Sequence, residues 1–154
     1  MRQSTVAVLL DNPALGSILA ATLSSASMLK VRSFDAAVGL AAYARIAPID
    51  IIVIDLDDWS ASDLIDLKTG IASDSAVLGL CTGMTPERIS TLRAAGIDEV
   101  LLKPMSPRYL LERVRARLAR MARDSAIAEI ASPNSSVAAM DWSRFGDNVV
   151  PLFS

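Results

Sequence analysis

Histidine is absent from this sequence of 154 residues, and cysteine occurs once. These absences exclude a zinc site built from Cys and His, a histidine-dependent catalytic triad and a disulfide framework within the chain. A single cysteine is also typical of a reducing compartment, so we expect a cytoplasmic protein. Carboxylates remain plentiful, and a hard cation with oxygen ligands is therefore still possible.

Aromatic residues make up only 5% of the chain, whereas 52% of it is hydrophobic, so a core must be built from Ala, Leu, Ile and Val. Neither sign of charge dominates, because 15 Lys and Arg residues stand against 17 Asp and Glu residues. This balance argues against a dedicated nucleic-acid-binding protein. Long hydrophobic runs are missing as well. The apolar stretch before Asp11 is too short for a signal peptide or a membrane span, so we expect no membrane association.

Short apolar runs alternate with helix-length segments rich in Ala, Leu and Arg. The runs are rich in Val and Ile and lack polar alternation, which favours strands that are buried on both faces. They lie at residues 6–10, 51–54, 77–80 and 100–102, with a weaker run at 29–34. Such strands alternating with helices predict an α/β fold with a doubly wound, five-stranded parallel sheet.

Residue types also mark several helix starts. A hydroxyl followed by Pro at the first helical position starts two helices, at Thr85-Pro86 and at Ser106-Pro107. Asp35 is a candidate N-cap for a helix that runs to about residue 46.

The character of the chain changes after Arg123. Residues 124–136 look like a linker, although 124–131 could extend the last helix or add a short one. The closing segment, MDWSRFGDNVVPLFS, is too apolar for a purely solvating terminus and too short for its own core, so its side chains need a surface. We therefore predict a domain at residues 1–123 and a C-terminal extension at 124–154 that changes association state or partner binding.

Residues 50–58, DIIVIDLDD, place three carboxylates directly after a buried strand. The carboxyl ends of parallel strands meet at one edge of the sheet, where ligands bind. Four groups are expected at such ends, namely Asp11, Asp55, the pair Cys81-Thr82, and Lys103. A metal held by Asp11 and Asp55, with Lys103 opposite, would suit phosphoryl chemistry.

At these positions the chain resembles the receiver domains of two-component response regulators, which are flavodoxin-like phosphoacceptor modules. The resemblance covers roughly residues 4–121 and rests on the acid in LLDNPAL, the strand-end acid in IIVIDLDD and the stretch AAGIDEVLLKP. It implies that Asp55 is the phosphoacceptor and that Lys103, followed by a cis peptide, binds the phosphate. It also implies that Mg²⁺ is held by Asp11, Asp55 and the backbone carbonyl of Asp57. Separately from the resemblance, we expect the side chains of Asp57 and Asp58 to be solvated.

The resemblance further implies a histidine kinase or a histidine phosphotransfer protein as partner, and a possible homodimer through the face of strand 4 and helix 5 or through the tail. The last helix, SPRYLLERVRARLARMAR, is rich in arginine, which either forms a partner surface or only solvates one helix face.

The chain departs from the family at several positions. Leu10 replaces one of two adjacent acids, so Mg²⁺ should bind weakly. Cys81 stands at the position of the switch hydroxyl, Thr82 comes one residue late, and Val100 replaces an aromatic switch residue. Trp59 stands where a Pro often follows the phosphoacceptor loop.

Three functions remain open at this point. The first is a stand-alone divergent receiver in a phosphorelay, which accepts a phosphoryl group on Asp55, acts through protein contacts and is otherwise not an enzyme. The second is a pseudo-receiver that binds a partner without phosphorylation, with Lys103 permanently paired to Asp55. The third is a haloacid-dehalogenase-like phosphatase, with Asp55 as nucleophile and Asp57 as acid/base. That motif normally lies on the first strand, whereas here a full βαβα precedes it. It is also normally followed by Thr, and Trp59 stands at that position here.

Overall fold

The structure, a computed structural model, describes residues 3–57, 59–71 and 74–130. The chain divides into two compact units, residues 1–118 and 119–154. The predictions for the closing apolar segment and for the solvation of Asp58 lie outside the described residues. None of the helices in the described part is long and apolar enough to cross a membrane.

Five strands form one sheet in which all pairs are parallel, in the order β2-β1-β3-β4-β5. The strands are β1 (Ser4–Leu9), β2 (Leu29–Phe34), β3 (Ile51–Asp55), β4 (Ala76–Cys81) and β5 (Glu99–Leu102). All residues of the central strands β3 and β4 are buried, as expected for a parallel sheet covered on both faces. The predicted doubly wound sheet is confirmed.

Helices connect the strands, and their starts test the capping predictions. The helices are α1 (Pro13–Ser24), α2 (Ala37–Ala44), α3 (Ala61–Ile71), α4 (Pro86–Ala95) and α5 (Pro107–Ile130). Thr85 accepts the backbone N–H of Arg88, and the Ser106 hydroxyl accepts that of Tyr109, so both predicted hydroxyl caps are confirmed. Of the possibilities for residues 124–131, the described part shows an extension of the last helix to Ile130.

The predicted N-cap at Asp35 is wrong. The cap position of α2 is Ala36, which has an extended backbone and no side-chain hydrogen bond to the helix. Asp35 therefore lies one residue before the cap, and its carboxylate makes no capping contact with the free amides of the first turn.

The end of β3 is held by a tight contact with β4. The backbone N–H of Leu56 donates to the carbonyl of Leu80 at 2.7 Å, which continues the strand pairing one residue beyond Asp55. The Leu56 side chain is fully buried and packs directly over Gly79, where an added Cβ would collide with it. This close approach places Asp55 and its loop beside the end of β4.

Candidate functional site

The carboxyl edge of the sheet brings four of the predicted residues together. Asp55 is the last residue of β3, Thr82 follows β4, and Lys103 follows β5. Asp57, in the loop after β3, completes the group through hydrogen bonds to Thr82 and an ion pair with Lys103.

Asp55 is the buried acid of this group, with only 8% of its surface exposed. One carboxylate oxygen accepts the backbone N–H of Asp57 at 3.0 Å, and the other accepts the Lys103 ammonium at 2.9 Å. A buried carboxylate is costly unless a cation and hydrogen-bond donors compensate its charge, and here both are present.

Lys103 bridges two carboxylates. Its ammonium lies 2.9 Å from Asp55 and 2.7 Å from Asp57, and its backbone N–H donates to the carbonyl of Cys81 at 2.6 Å. The Lys103–Pro104 peptide is cis, as the resemblance implied. Desolvation lowers the pKa of Lys103, but the hydrogen bonds to Asp57 and Asp55 outweigh it, and the net shift is upward. The ammonium is therefore charged at neutral pH.

The Asp57 carboxylate is partly exposed, as expected, but it is not simply solvated. One oxygen accepts the backbone N–H of Thr82 at 2.8 Å, and the other accepts the Thr82 hydroxyl at 2.7 Å and the Lys103 ammonium at 2.7 Å. The hydrogen bond from Lys103, followed by those from Thr82, lowers the pKa of Asp57 to about 2. This side-chain role was not predicted, because the partners lie 25 and more residues away in the chain.

Asp11 behaves differently from these acids. It is exposed, and among the described residues its carboxylate makes neither a hydrogen bond nor an ion pair. The α1 cap is Asn12, whose side chain accepts the backbone N–H groups of Ala14 and Leu15 at 3.0 and 3.2 Å. Asp11 is therefore not consumed as a helix cap and is available to a cation.

The donor set fits Mg²⁺ only modestly. Within the described part of the chain, no group of three or more His, Cys, Asp or Glu side chains is placed to hold a metal ion. Asp11 and Asp55 provide hard oxygen ligands, and Mg²⁺ commonly binds through one or two carboxylates while it keeps several waters. Their chemistry suits the ion, but Lys103 competes with it for Asp55.

Cys81 is a buried residue at the end of β4. Burial, and secondarily the negative charge of Asp57, raises the pKa of its thiol, so the sulfur is protonated at neutral pH. The exposed hydroxyl at this strand end belongs to Thr82, one position later. Cys81 contributes its backbone carbonyl, which positions Lys103.

Arg88, on the first turn of α4, was not predicted as a site residue. Its guanidinium donates to the backbone carbonyls of Leu56 and Trp59 at 2.8 and 2.6 Å, and so holds the loop after β3 against α4. No local signal identifies it, since the two carbonyls lie 32 and 29 residues earlier in the chain.

A groove of about 330 Å³ lies beside Lys103 and Thr82. Its wall is mostly apolar and includes Leu15 and Leu19 of α1 and Pro104 and Met105 after β5. An apolar side chain of a partner could therefore be buried next to the charged group.

Solved structures of the same architecture are found among response regulators. The chain is similar to a response regulator of Thermotoga maritima, with 21% identity and a TM-score of 0.66 over 76% of this chain and 98% of that one. The chemotaxis protein CheY4 of Vibrio cholerae gives 21% identity and a TM-score of 0.65 over 74% and 98%. An orphan response regulator of H. pylori gives 22% and 0.65 over 77% and 99%.

The chain has the receiver-domain fold. No family model and no curated protein matches the sequence. The TM-scores establish the shared fold, but at identities of 21–22% the function has to be argued from the site itself.

Proposed function

We propose that this chain is a divergent receiver module that accepts a phosphoryl group on Asp55 from a histidine kinase or histidine phosphotransfer protein and acts through protein–protein contacts. The observation that carries the proposal is the Lys103 ammonium, 2.9 Å from the Asp55 carboxylate at the carboxyl edge of the sheet. A fixed cation beside a buried carboxylate is placed to neutralise the charge of an entering phosphoryl group.

The transfer uses the lone pairs of Asp55. Each carboxylate oxygen accepts one hydrogen bond from the described residues, so each keeps a lone pair for attack on phosphorus. The oxygen–phosphorus bond forms as the phosphorus–nitrogen bond of the partner's phosphohistidine breaks. The imidazole leaves with the electron pair and takes up a proton from water, and Asp55 becomes an acyl phosphate. The partner supplies the histidine, which this chain lacks.

Asp11 and Asp55, with the backbone carbonyl of Asp57, are the proposed Mg²⁺ ligands. The ion, when bound, would neutralise charge on the phosphoryl oxygens. Binding should be weak because Leu10 supplies no carboxylate and Lys103 already compensates Asp55.

The partner is expected to approach over the groove between α1 and the residues after β5. Apolar side chains of the partner would bury Leu15, Pro104 and Met105 there, next to the site of transfer. A homodimer through β4 and α5 is a separate proposal. Two arginines of α5, Arg113 and Arg117, already form ion pairs with Glu99 of β5 within the chain, so other arginines would have to serve that interface.

A pseudo-receiver, which binds its partner without phosphorylation, is the second candidate. The observation in its favour is the Asp57 carboxylate, which already occupies Lys103 and Thr82. The phosphatase alternative has no such support. A general acid must hold a proton near neutral pH, whereas the pKa of Asp57 is about 2.

Intact-mass spectrometry after treatment with acetyl phosphate and Mg²⁺ tests the proposal. The wild-type chain should gain the mass of one phosphoryl group, and Asp55→Asn should gain none. Asp63→Asn, which changes an exposed acid on α3, is the matched control and should be modified like the wild type. A wild-type chain that stays unmodified, with acetyl phosphate and with a phosphorylated histidine donor, would leave the pseudo-receiver as the function.

A further inference from the structure

Three hydrogen-bond donors from two separate loops converge on one carboxylate. The Asp57 side chain accepts the backbone N–H and the hydroxyl of Thr82, after β4, and the ammonium of Lys103, after β5, all within 2.8 Å. An ammonium, a hydroxyl and an amide aimed at one point form an arrangement that binds oxyanions in general. In this chain the oxyanion is supplied by the chain itself.

Local capping does not explain this contact. Asp63 also accepts a backbone N–H and a hydroxyl, both from Ser60, at 2.8 and 3.0 Å. That pair lies three residues apart and closes the start of α3, whereas Asp57 and Thr82 lie 25 residues apart and join two loops. The Asp57 contact also includes the ammonium, which the Asp63 contact lacks.

Asp57 competes directly with any group that Asp55 would carry. Lys103 donates to both carboxylates, and Asp57 follows Asp55 by two residues in a loop that Arg88 holds in place. An oxyanion attached to Asp55 would need the donors of Lys103 and Thr82, and these donors already bind the Asp57 carboxylate. Like charges repel there, so the two cannot occupy these donors together.

We propose that Thr82 and Lys103 form an oxyanion site that the Asp57 carboxylate occupies in cis, in place of the phosphoryl group. Asp57 links the loops after β3 and β4 before any phosphorylation, and it must be displaced when Asp55 is modified. The identity of the natural oxyanion, a phosphoryl group on Asp55, rests on the proposed function. The existence of the site does not.

Sulfate titration tests the site without phosphorylation. The titration is followed by amide NMR at constant ionic strength in chains that carry Asp55→Asn, which removes the neighbouring negative charge. Adding Asp57→Ala should tighten sulfate binding at the Thr82 amide by about tenfold or more, because the ammonium, the hydroxyl and the amide are freed. Adding Asp63→Ala instead, the matched control, should leave sulfate binding as it is in Asp55→Asn alone.

Phosphorylation kinetics give the second measurement. Acetyl phosphate transfers its phosphoryl group to an Asp55 oxygen with release of acetate, and the rate is followed by intact mass in the presence of Mg²⁺. Asp57→Ala should be modified about tenfold faster than the wild type, because no carboxylate has to leave the donors. Asp63→Ala should match the wild type.

Equal sulfate affinity with and without Asp57→Ala would overturn the inference, as would an unchanged modification rate in a chain that is phosphorylated. If Asp55 is not modified in either chain, the proposed phosphotransfer fails, and the sulfate titration alone then decides the inference. Should Asp57→Ala not unfold cooperatively, Asp57→Asn replaces it in both measurements, since it keeps the shape and removes the charge.

Discussion

The acids after β1 and after β3 lie at the same edge of the sheet but differ in their exposure and in their ion pairs. After β1, Asp11 is exposed and has no ion pair among the described residues, and the neighbouring Asn12 serves only its own helix. After β3, the carboxylates of Asp55 and Asp57 are tied to the ends of β4 and β5 by contacts that span 25 to 48 residues.

The difference follows from burial. An exposed carboxylate is solvated by water and needs no partner, so Asp11 stays accessible to a cation from solution. A buried one must be compensated by the chain, so Asp55 has acquired Lys103 and an amide. The β3 side of the edge therefore has a cation of its own, one ammonium shared by two carboxylates, whereas on the β1 side the described residues give Asp11 none.

The largest effect is expected from removing the shared cation. Lys103→Met should lower the free energy of unfolding by about 2–3 kcal/mol, because buried Asp55 loses its compensation beside a second carboxylate. Urea unfolding measures this change in the free energy of unfolding. Lys30→Met, which changes an exposed lysine on β2, should stay within about 0.5 kcal/mol of the wild type. A loss no larger than that of the control would show that the ion pairs add nothing to stability.

A smaller effect is expected from crowding the contact that positions Asp55. Gly79→Ala should lower the free energy of unfolding by about 1–2 kcal/mol, because the new methyl group collides with fully buried Leu56. On the β1 side, Gly16→Ala meets its nearest atom, Leu10 Cβ, at 3.9 Å. It should raise stability by about 0.5–1 kcal/mol through helix propensity. Equal unfolding midpoints for the two variants would contradict the proposed tightness at Leu56.

Asp11→Ala should leave stability within about 0.5 kcal/mol of the wild type, because the side chain has no partner within the described part of the chain. It should nevertheless weaken Mg²⁺ binding. This binding is measured by titration with the fluorescence of Trp59 as the signal, in chains that carry Trp142→Phe. Asp35→Ala, an exposed acid after β2, is the control and should not alter the Mg²⁺ response. Micromolar affinity in the wild type, or an unchanged response in Asp11→Ala, would refute the weak site.

The last expected effect is on the reactivity of Cys81 and not on the stability of the chain. Burial raises the pKa of the thiol, so less thiolate is present at any pH below that value than for a free cysteine. At pH 8 the native chain should react with a thiol reagent far more slowly than the urea-unfolded chain. A Cys81→Ser chain with Ser90→Cys on exposed α4 should react quickly in the native state. Fast native labelling of Cys81 would mean that the end of β4 opens readily.

The sequence was sufficient for the fold and for part of the site. Val- and Ile-rich runs without polar alternation predicted strands buried on both faces, which is confirmed for β1, β3 and β4 but wrong for β2 and β5, because these two lie at the edges of the sheet and are partly exposed. The strand-end positions of Asp55 and Lys103 predicted their meeting. The hydroxyl caps at Thr85 and Ser106 were equally readable. All of these depend on a residue's immediate neighbours or on the rule that parallel strands end at one edge.

The tertiary structure decided what the loops do at that edge. Asp35 does not cap α2 because the helix begins one residue later than predicted, with Ala36 at the cap position. Asp57 forms its contacts with Thr82 and Lys103 because the loops after β3, β4 and β5 lie close together in space. The same holds for the hydrogen bond from Arg88 to the loop after β3. Strand positions follow from burial of side chains, which composition and periodicity encode locally. Contacts between loops follow from distances across 25 and more residues, and only the assembled sheet sets those.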